Sequence, residues 1–176
     1  MKYYLKEEFL HDVNAKNAGN KARNDVESIV KEEGYHPLVL SVDNWYQMST
    51  LAAQRHKAKA FGLALDQLKQ GDELLIQFPM LHHSFFSTHL VKKAQKRGIK
   101  VYLLIHDLEV LRHANMTSLP LKHRIRMYLQ EASFLKAADG IIAHNSVMKS
   151  VLVDKGIAED KIVSLGIFDY LIPNFQ

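Results

Sequence analysis

Short unbroken apolar runs alternate along this chain with longer stretches of helical period. The clearest run is 101–105, Val-Tyr-Leu-Leu-Ile, with Lys100 before it and His106-Asp107 directly after it. A run that short, with no polar alternation, suits a strand buried on both faces, as in the middle of a parallel sheet. Further strands are predicted at 3–5, 38–42, 73–78, 140–144 and 161–165. Helices are predicted between them. One runs over 21–33, capped by Asn20, with Ala22, Val26, Ile29 and Val30 on one face and Gly34 ending it. A second covers 51–68, with Leu51, Ala58, Phe61, Leu65 and Leu68 as its apolar stripe. Others cover 84–97, 108–114, 121–138 and a segment that Asn145 or Ser146 caps and Gly156 ends. Loops are predicted at 8–20, 43–49 (with the single tryptophan, Trp45) and 116–120. This alternation predicts an α/β fold, a Rossmann-like, doubly wound parallel sheet in one domain over 1–176.

Composition narrows the picture little. With 47% hydrophobic and 24% charged residues, the 176-residue chain has the make-up of a globular protein large enough for a sizeable core. It has no cysteine, which removes disulfides and thiolate metal sites. The first eight residues lack the apolar h-region of a secretory signal, and no apolar run approaches the roughly 20 residues of a membrane span. A cytoplasmic protein is therefore expected. The formal charge is +4, a mild excess that suits phosphates or an anionic surface. Lys92, Lys93, Lys96 and Arg97 on one predicted helix, and Lys122, His123, Arg124 and Arg126 on another, offer a basic face for peripheral contact at the inner side of the plasma membrane. The plain alternative is a solvated face. Basic residues interleaved with exposed aromatics are missing, so no nucleic-acid partner is expected. Asn115-Met116-Thr117 is a glycosylation sequon of no expected use without a secretory signal. The apolar stretch 167–176 suggests that the chain packs against something further, as one piece of a longer protein.

Open α/β sheets place ligands outside the C-terminal ends of their strands. That puts His106, Asp107 and Glu109 where a site belongs. Either His106 or Asp107 can take a proton from a hydroxyl, or His106 can be a loop residue beside a helix-capping aspartate. Gln77 and Pro79 end the strand at 73–78. His82, His83 and His89 follow them without metal-ligand spacing or a nearby carboxylate, so no metal site is expected. Residues 14–21, which include Gly19 and Asn20, form a small, amide-rich segment after the first strand. It suits close backbone approach to a ligand or simple helix capping. The chain lacks G-x-G-x-x-G after its first strand, a complete P-loop, G-x-S-x-G and H-E-x-x-H.

Taken in order, 18–25 (AGNKARND), 77–79 (QFP), 105–112 (IHDLEVLR), 131–140 (EASFLKAADG), 142–145 (IAHN) with Met148, and 166–170 (GIFDY) resemble the N-terminal half of bacterial sugar transferases. The nearest resemblance is to β-1,6-galactofuranosyltransferase-like enzymes, with the glucosyltransferases that act on serine-rich adhesins as relatives. The resemblance implies the N-terminal half of a GT-B fold, with an acceptor-side domain here and a donor domain absent from this chain. It implies metal-independent transfer of a galactofuranosyl or glucosyl group from a UDP-sugar to a glycan or lipid-linked saccharide acceptor. It also implies no cofactor beyond that donor and no activity from this chain alone. It places His106 and Asp107 along the cleft, and one or other of these two is the expected base. Gly19, Asn20, Gln77, Pro79, His144 and Asn145 are the substrate-binding candidates. A competing reading is a non-catalytic, glycosyltransferase-like module that forms homo-oligomers or binds an active partner. A small hydrolase or nucleotide-binding domain is a third, against which the missing fingerprints count.

Overall fold

A computed structural model describes residues 1–8, 18–108, 121 and 131–166. Six parallel strands form one sheet: β1 (Lys2–Glu8), β2 (His36–Ser41), β3 (Glu73–Phe78), β4 (Lys100–Ile105), β5 (Gly140–Ala143) and β6 (Ile162–Ser164). Their order is β2-β1-β3-β4-β5-β6. The helices are α1 (Ala18–Glu32), α2 (Thr50–Leu65), α3 (Ser87–Lys96), α4 (Ser133–Ala137) and α5 (Ser146–Asp154). The expected Rossmann-like α/β sheet is the fold observed. The strand order reverses between β1 and β3, the kind of point at whose C-terminal edge open α/β sheets hold ligands.

The two faces of the sheet differ. Along β3 and β4, Leu74, Ile76, Phe78, Val101, Leu103 and Ile105 join a large core with Phe61 of α2, Val91 of α3, Phe134 of α4 and Leu152 of α5. The alternate residues Leu75 and Leu104 join Tyr4 and Val26 of α1 in a smaller cluster, with Ile142 packed against it. Side chains alternate across a strand with period two, so these two sets fix which face every later residue of each strand presents.

Details of three helices sharpen or correct the pattern along the chain. Helix α1 begins at Ala18, so Gly19 and Asn20 lie in its first turn; Asn20 is not the cap of a helix starting at residue 21. Tertiary context extends the helix through a glycine and an amide that locally favour a loop. On that helix Val26 is buried while Ile29 is exposed. On α2 the buried set is Ala53, Lys57, Phe61, Ala64 and Leu65, and Leu51 is exposed. The expected Phe61, Leu65 and Leu68 are buried, and at the N-terminal end of the helix Ala53 and Lys57 face inward in place of the expected Leu51. Asn145 is the cap of α5, its side-chain oxygen accepting the Met148 amide at 2.9 Å.

Gly98 sits in the turn between α3 and β4 at φ +82°, and a Cβ there would come within 2.8 Å of Gln70 Cγ. The backbone conformation is the one that favours glycine, and a side chain there would also have to displace that of Gln70. Arg97, beside it, donates to the Leu68 carbonyl at 2.6 Å and pairs with Asp66 at 3.0 Å. It ties the end of α3 to the end of α2, which takes it out of the expected basic face. Lys92, Lys93 and Lys96 are exposed on α3. The helix predicted over 108–114, most of that over 121–138, the loop 116–120, the sequon, the basic run 122–126, Glu109 and the apolar stretch 167–176 lie outside the described residues. Among the described residues, no helix is long and apolar enough to cross a membrane.

Candidate active site

Parity places the first part of the site. Gln77 shares its face with Leu75, His106 with Leu104 and His144 with Ile142, so all three point to the α1 side at the C-terminal edge. The His106 amide donates to the Phe78 carbonyl at 2.8 Å, which carries the β3–β4 ladder one residue beyond β4 and holds His106 in that alternation. The register pairs Leu104 with Ile142, which brings His106 opposite His144. Their rings meet edge to face, 5.9 Å between centroids. His106 Nε2 lies 2.6 Å from Gln77 Oε1. The amide nitrogen of Gln77 donates to the backbone carbonyl of Arg23 on α1, at 3.3 Å.

Burial lowers the pKa of His106 to about 4, helped by the Arg23 guanidinium and then by His144. Burial also lowers that of His144. Both imidazoles are therefore neutral near pH 7, the form in which a histidine can accept a proton. Asp107 is half-buried, and its Oδ1 accepts the Leu108 amide at 2.8 Å. Pro79 is exposed, follows a cis peptide bond from Phe78, and its carbonyl accepts from Arg23. Asn145 is exposed with its oxygen engaged in capping α5, so its NH2 is the group a ligand would meet. Gly19 and Asn20 stand at the start of α1. The residues picked from the sequence thus gather along one edge, on β3, β4, β5 and the start of α1.

Three charged residues at this edge, Glu7, Arg23 and Lys57, escape a reading of the sequence. Glu7, near the end of β1, is buried with its carboxylate against the loop after β3. It accepts the Leu81 amide at 3.0 Å and the His82 amide at 2.7 Å. Arg23 reaches over the edge to within 3.8 Å of it. Burial pushes the Glu7 carboxyl up, while the two amides, Arg23 and Lys57 pull it back toward the ionised form. Lys57, only 7% exposed, holds its ammonium 3.5 Å from the centre of the Trp45 ring, a cation–π contact strengthened by desolvation. Burial lowers its pKa and the Glu7 charge opposes that. His82 turns its Nε2 to the Glu8 carbonyl at 3.1 Å. His83 packs edge-on to Phe134 with centroids 5.1 Å apart. The two neighbouring imidazoles are thus committed to different surroundings and do not converge on a common point.

His83 is also held to about 4, by burial and then by Lys57. The unfolded chain takes these protons near the ordinary value of 6.5, so between pH 6.5 and 4 it binds more protons than the folded chain. Stability therefore falls as pH drops through that window. Glu7 works the other way, because a raised carboxyl pKa favours the folded chain in acid. Each tenfold difference in proton affinity between the folded and unfolded chains is worth about 1.4 kcal/mol. With the Glu7 offset, acidification from pH 7 to 5 is expected to cost roughly 1–3 kcal/mol. Urea midpoints across that range check it, and His83→Phe should flatten the slope. A midpoint that holds or rises toward pH 5 would contradict the burial of neutral imidazoles.

The family model for the glucosyltransferase 3-like N-terminal domain matches residues 2–167, a span that takes in all six strands and the whole of this edge. The chain belongs to that family. It is a glycosyltransferase-like N-terminal domain. It is also 29% identical over 171 residues to the beta-1,6-galactofuranosyltransferase WbbI of Escherichia coli (strain K12), an alignment covering 93% of this chain and 44% of that protein. The chain thus spans less than half the length of this relative.

Proposed function

We propose that this glucosyltransferase 3-like domain is the acceptor side of a two-domain GT-B glycosyltransferase. In this reading a second domain brings a UDP-sugar, glucosyl or galactofuranosyl, to an acceptor hydroxyl held at the β3–β4–β5 edge. The observation that carries it is the neutral His106, presented beside Gln77 and His144 next to the β1–β3 switch point. His106 takes the proton of the acceptor hydroxyl as that oxygen bonds to the anomeric carbon. The bond from that carbon to the phosphate oxygen breaks, and UDP leaves with the electron pair. No metal is needed for the base to act. In this reading Asp107, Pro79, Asn145, Gly19 and Asn20, along the same edge, contact the acceptor.

The division of labour is open to a direct test. Titrating the isotopically labelled chain with acceptor saccharides is expected to move the NMR signals of Gln77, His106 and His144, and UDP is expected to move them little. Tight UDP binding at this edge would put the donor site here and reverse the assignment. Silence toward every saccharide in a well-folded chain would favour a non-catalytic module that works through a partner.

A further inference from the structure

The site contains a device that decides which nitrogen of His106 does chemistry. A neutral imidazole has one N–H and one lone pair, and the hydrogen bond made by one ring nitrogen selects the role of the other. Here that bond is made by Gln77, which is buried on the α1 side of β3. Its own orientation is set from behind. The carbonyl of Arg23 can only accept, so the NH2 of Gln77 must face it at 3.3 Å. The Gln77 oxygen then faces His106 Nε2 at 2.6 Å. A carboxamide oxygen also only accepts, so Nε2 must carry the hydrogen. Turning the amide over would set two oxygens against each other at the Arg23 carbonyl and forfeit a hydrogen bond in a buried place.

Arg23 in turn is not free to drift. Its guanidinium donates to the Pro79 carbonyl and faces Glu7 across 3.8 Å. The carbonyl that orients Gln77 belongs to the backbone of α1, so the order of control runs from α1 to Gln77 to His106. At its end Nδ1 is left with its lone pair and no hydrogen bond within the described residues.

We propose that Gln77 is a positioning residue that selects the Nε2–H tautomer of His106 and so makes Nδ1 the atom that receives the proton of the acceptor hydroxyl. This rests on the reading of His106 as the base. The substrate it implies is a neutral hydroxyl that presents its O–H to Nδ1, the nitrogen turned away from Gln77.

Long-range proton–nitrogen NMR of the whole chain with labelled histidine, at pH 7, reads the tautomer without any substrate. A pyrrole-type signal for His106 Nε2 and a pyridine-type signal for Nδ1 are expected. Gln77→Glu keeps an oxygen facing Nε2 and should keep this tautomer wherever it folds, although its second oxygen then opposes the Arg23 carbonyl; Gln77→Leu should shift both signals toward an average of the two forms. With the donor domain present, Gln77→Leu should lower kcat by ~10- to 100-fold with little change in KM, as losses of an orienting partner do, and Gln77→Glu should restore part of it. The reverse tautomer in the unaltered chain would overturn the inference while leaving His106 as a base through Nε2. So would a folded Gln77→Leu chain whose signals do not move. If the tautomer is as stated but His106→Gln turns over normally, the reading of His106 as the base fails, and with it the catalytic part of this inference.

Discussion

Glu7→Ala is expected to destabilise the domain by about 3–5 kcal/mol, the usual effect of removing one partner from a buried ion pair. The carboxylate satisfies the amides of Leu81 and His82 with its two oxygens and faces Arg23 and Lys57. Alanine leaves two buried N–H groups without an acceptor and two desolvated cations without their counter-charge. For a chain of this length that amounts to a fall of roughly 10 °C or more in Tm. Glu7→Gln retains one carbonyl oxygen for the amides and loses the charge, so it should fall between the alanine variant and the parent. A double-mutant cycle with Arg23→Met separates the ion pair from the amide bonds. An alanine variant within about 1 kcal/mol of the parent would mean that the amides find water and the cations were never dependent on Glu7. The effect should also reach the site, because the Arg23 guanidinium that faces Glu7 is one of the groups that lower the pKa of His106. His106 signals should broaden or shift in Glu7→Gln even where the fold is retained.

What the chain discloses in advance, and what it conceals, follows from how far apart the interacting residues lie. The strands at 73–78 and 100–105 are evident because a strand buried on both faces must be apolar throughout. Their ends then mark Gln77, Pro79, His106 and Asp107, and the same logic marks His144 after β5. Period-two alternation adds that Gln77, His106 and His144 share a face. Lys6-Glu7-Glu8, by contrast, looks like the solvated end of a strand. Nothing local tells Glu7 from Glu8, yet only Glu7 meets the Leu81 amide, 74 residues later. Lys57 is concealed for a related reason. A hydrophobic stripe has no place for a lysine, so periodicity runs the stripe of α2 through the exposed Leu51, although Trp45 and Glu7 make an inward lysine tolerable. Arg23 belongs to the segment 18–25, but its partners, the Pro79 carbonyl and Glu7, lie far from it in the chain. The residues that hold the site in shape are thus less legible than those that present chemistry. The first act through long-range pairing, and the second are marked by their place at the ends of apolar runs.

His106→Gln, assayed with the donor domain in place, is expected to lower kcat by ~10²-fold or more while leaving acceptor binding within a few-fold. Glutamine is close in size, keeps a polar contact with Gln77, and cannot take a proton, so the loss would report proton transfer and not packing. The split between kcat and KM matters because a group that merely contacts the acceptor would raise KM instead. Asp107→Asn is the matched control. Its carboxylate already accepts the Leu108 amide, which asparagine can also do through its carbonyl, so a mainly structural role predicts a modest effect. If Asp107→Asn abolishes turnover and His106→Gln does not, the base is the carboxylate and the imidazole serves only to line the edge. The pH profile separates the cases further. With His106 at about 4 in the domain alone, kcat/KM should stay on a plateau from neutrality down toward pH 5 and fall only when the imidazole protonates. Arg23→Met removes one of the influences that hold the pKa down, so the acid limb should move to higher pH in that variant. An acid limb that stays in place would detach the limb from His106.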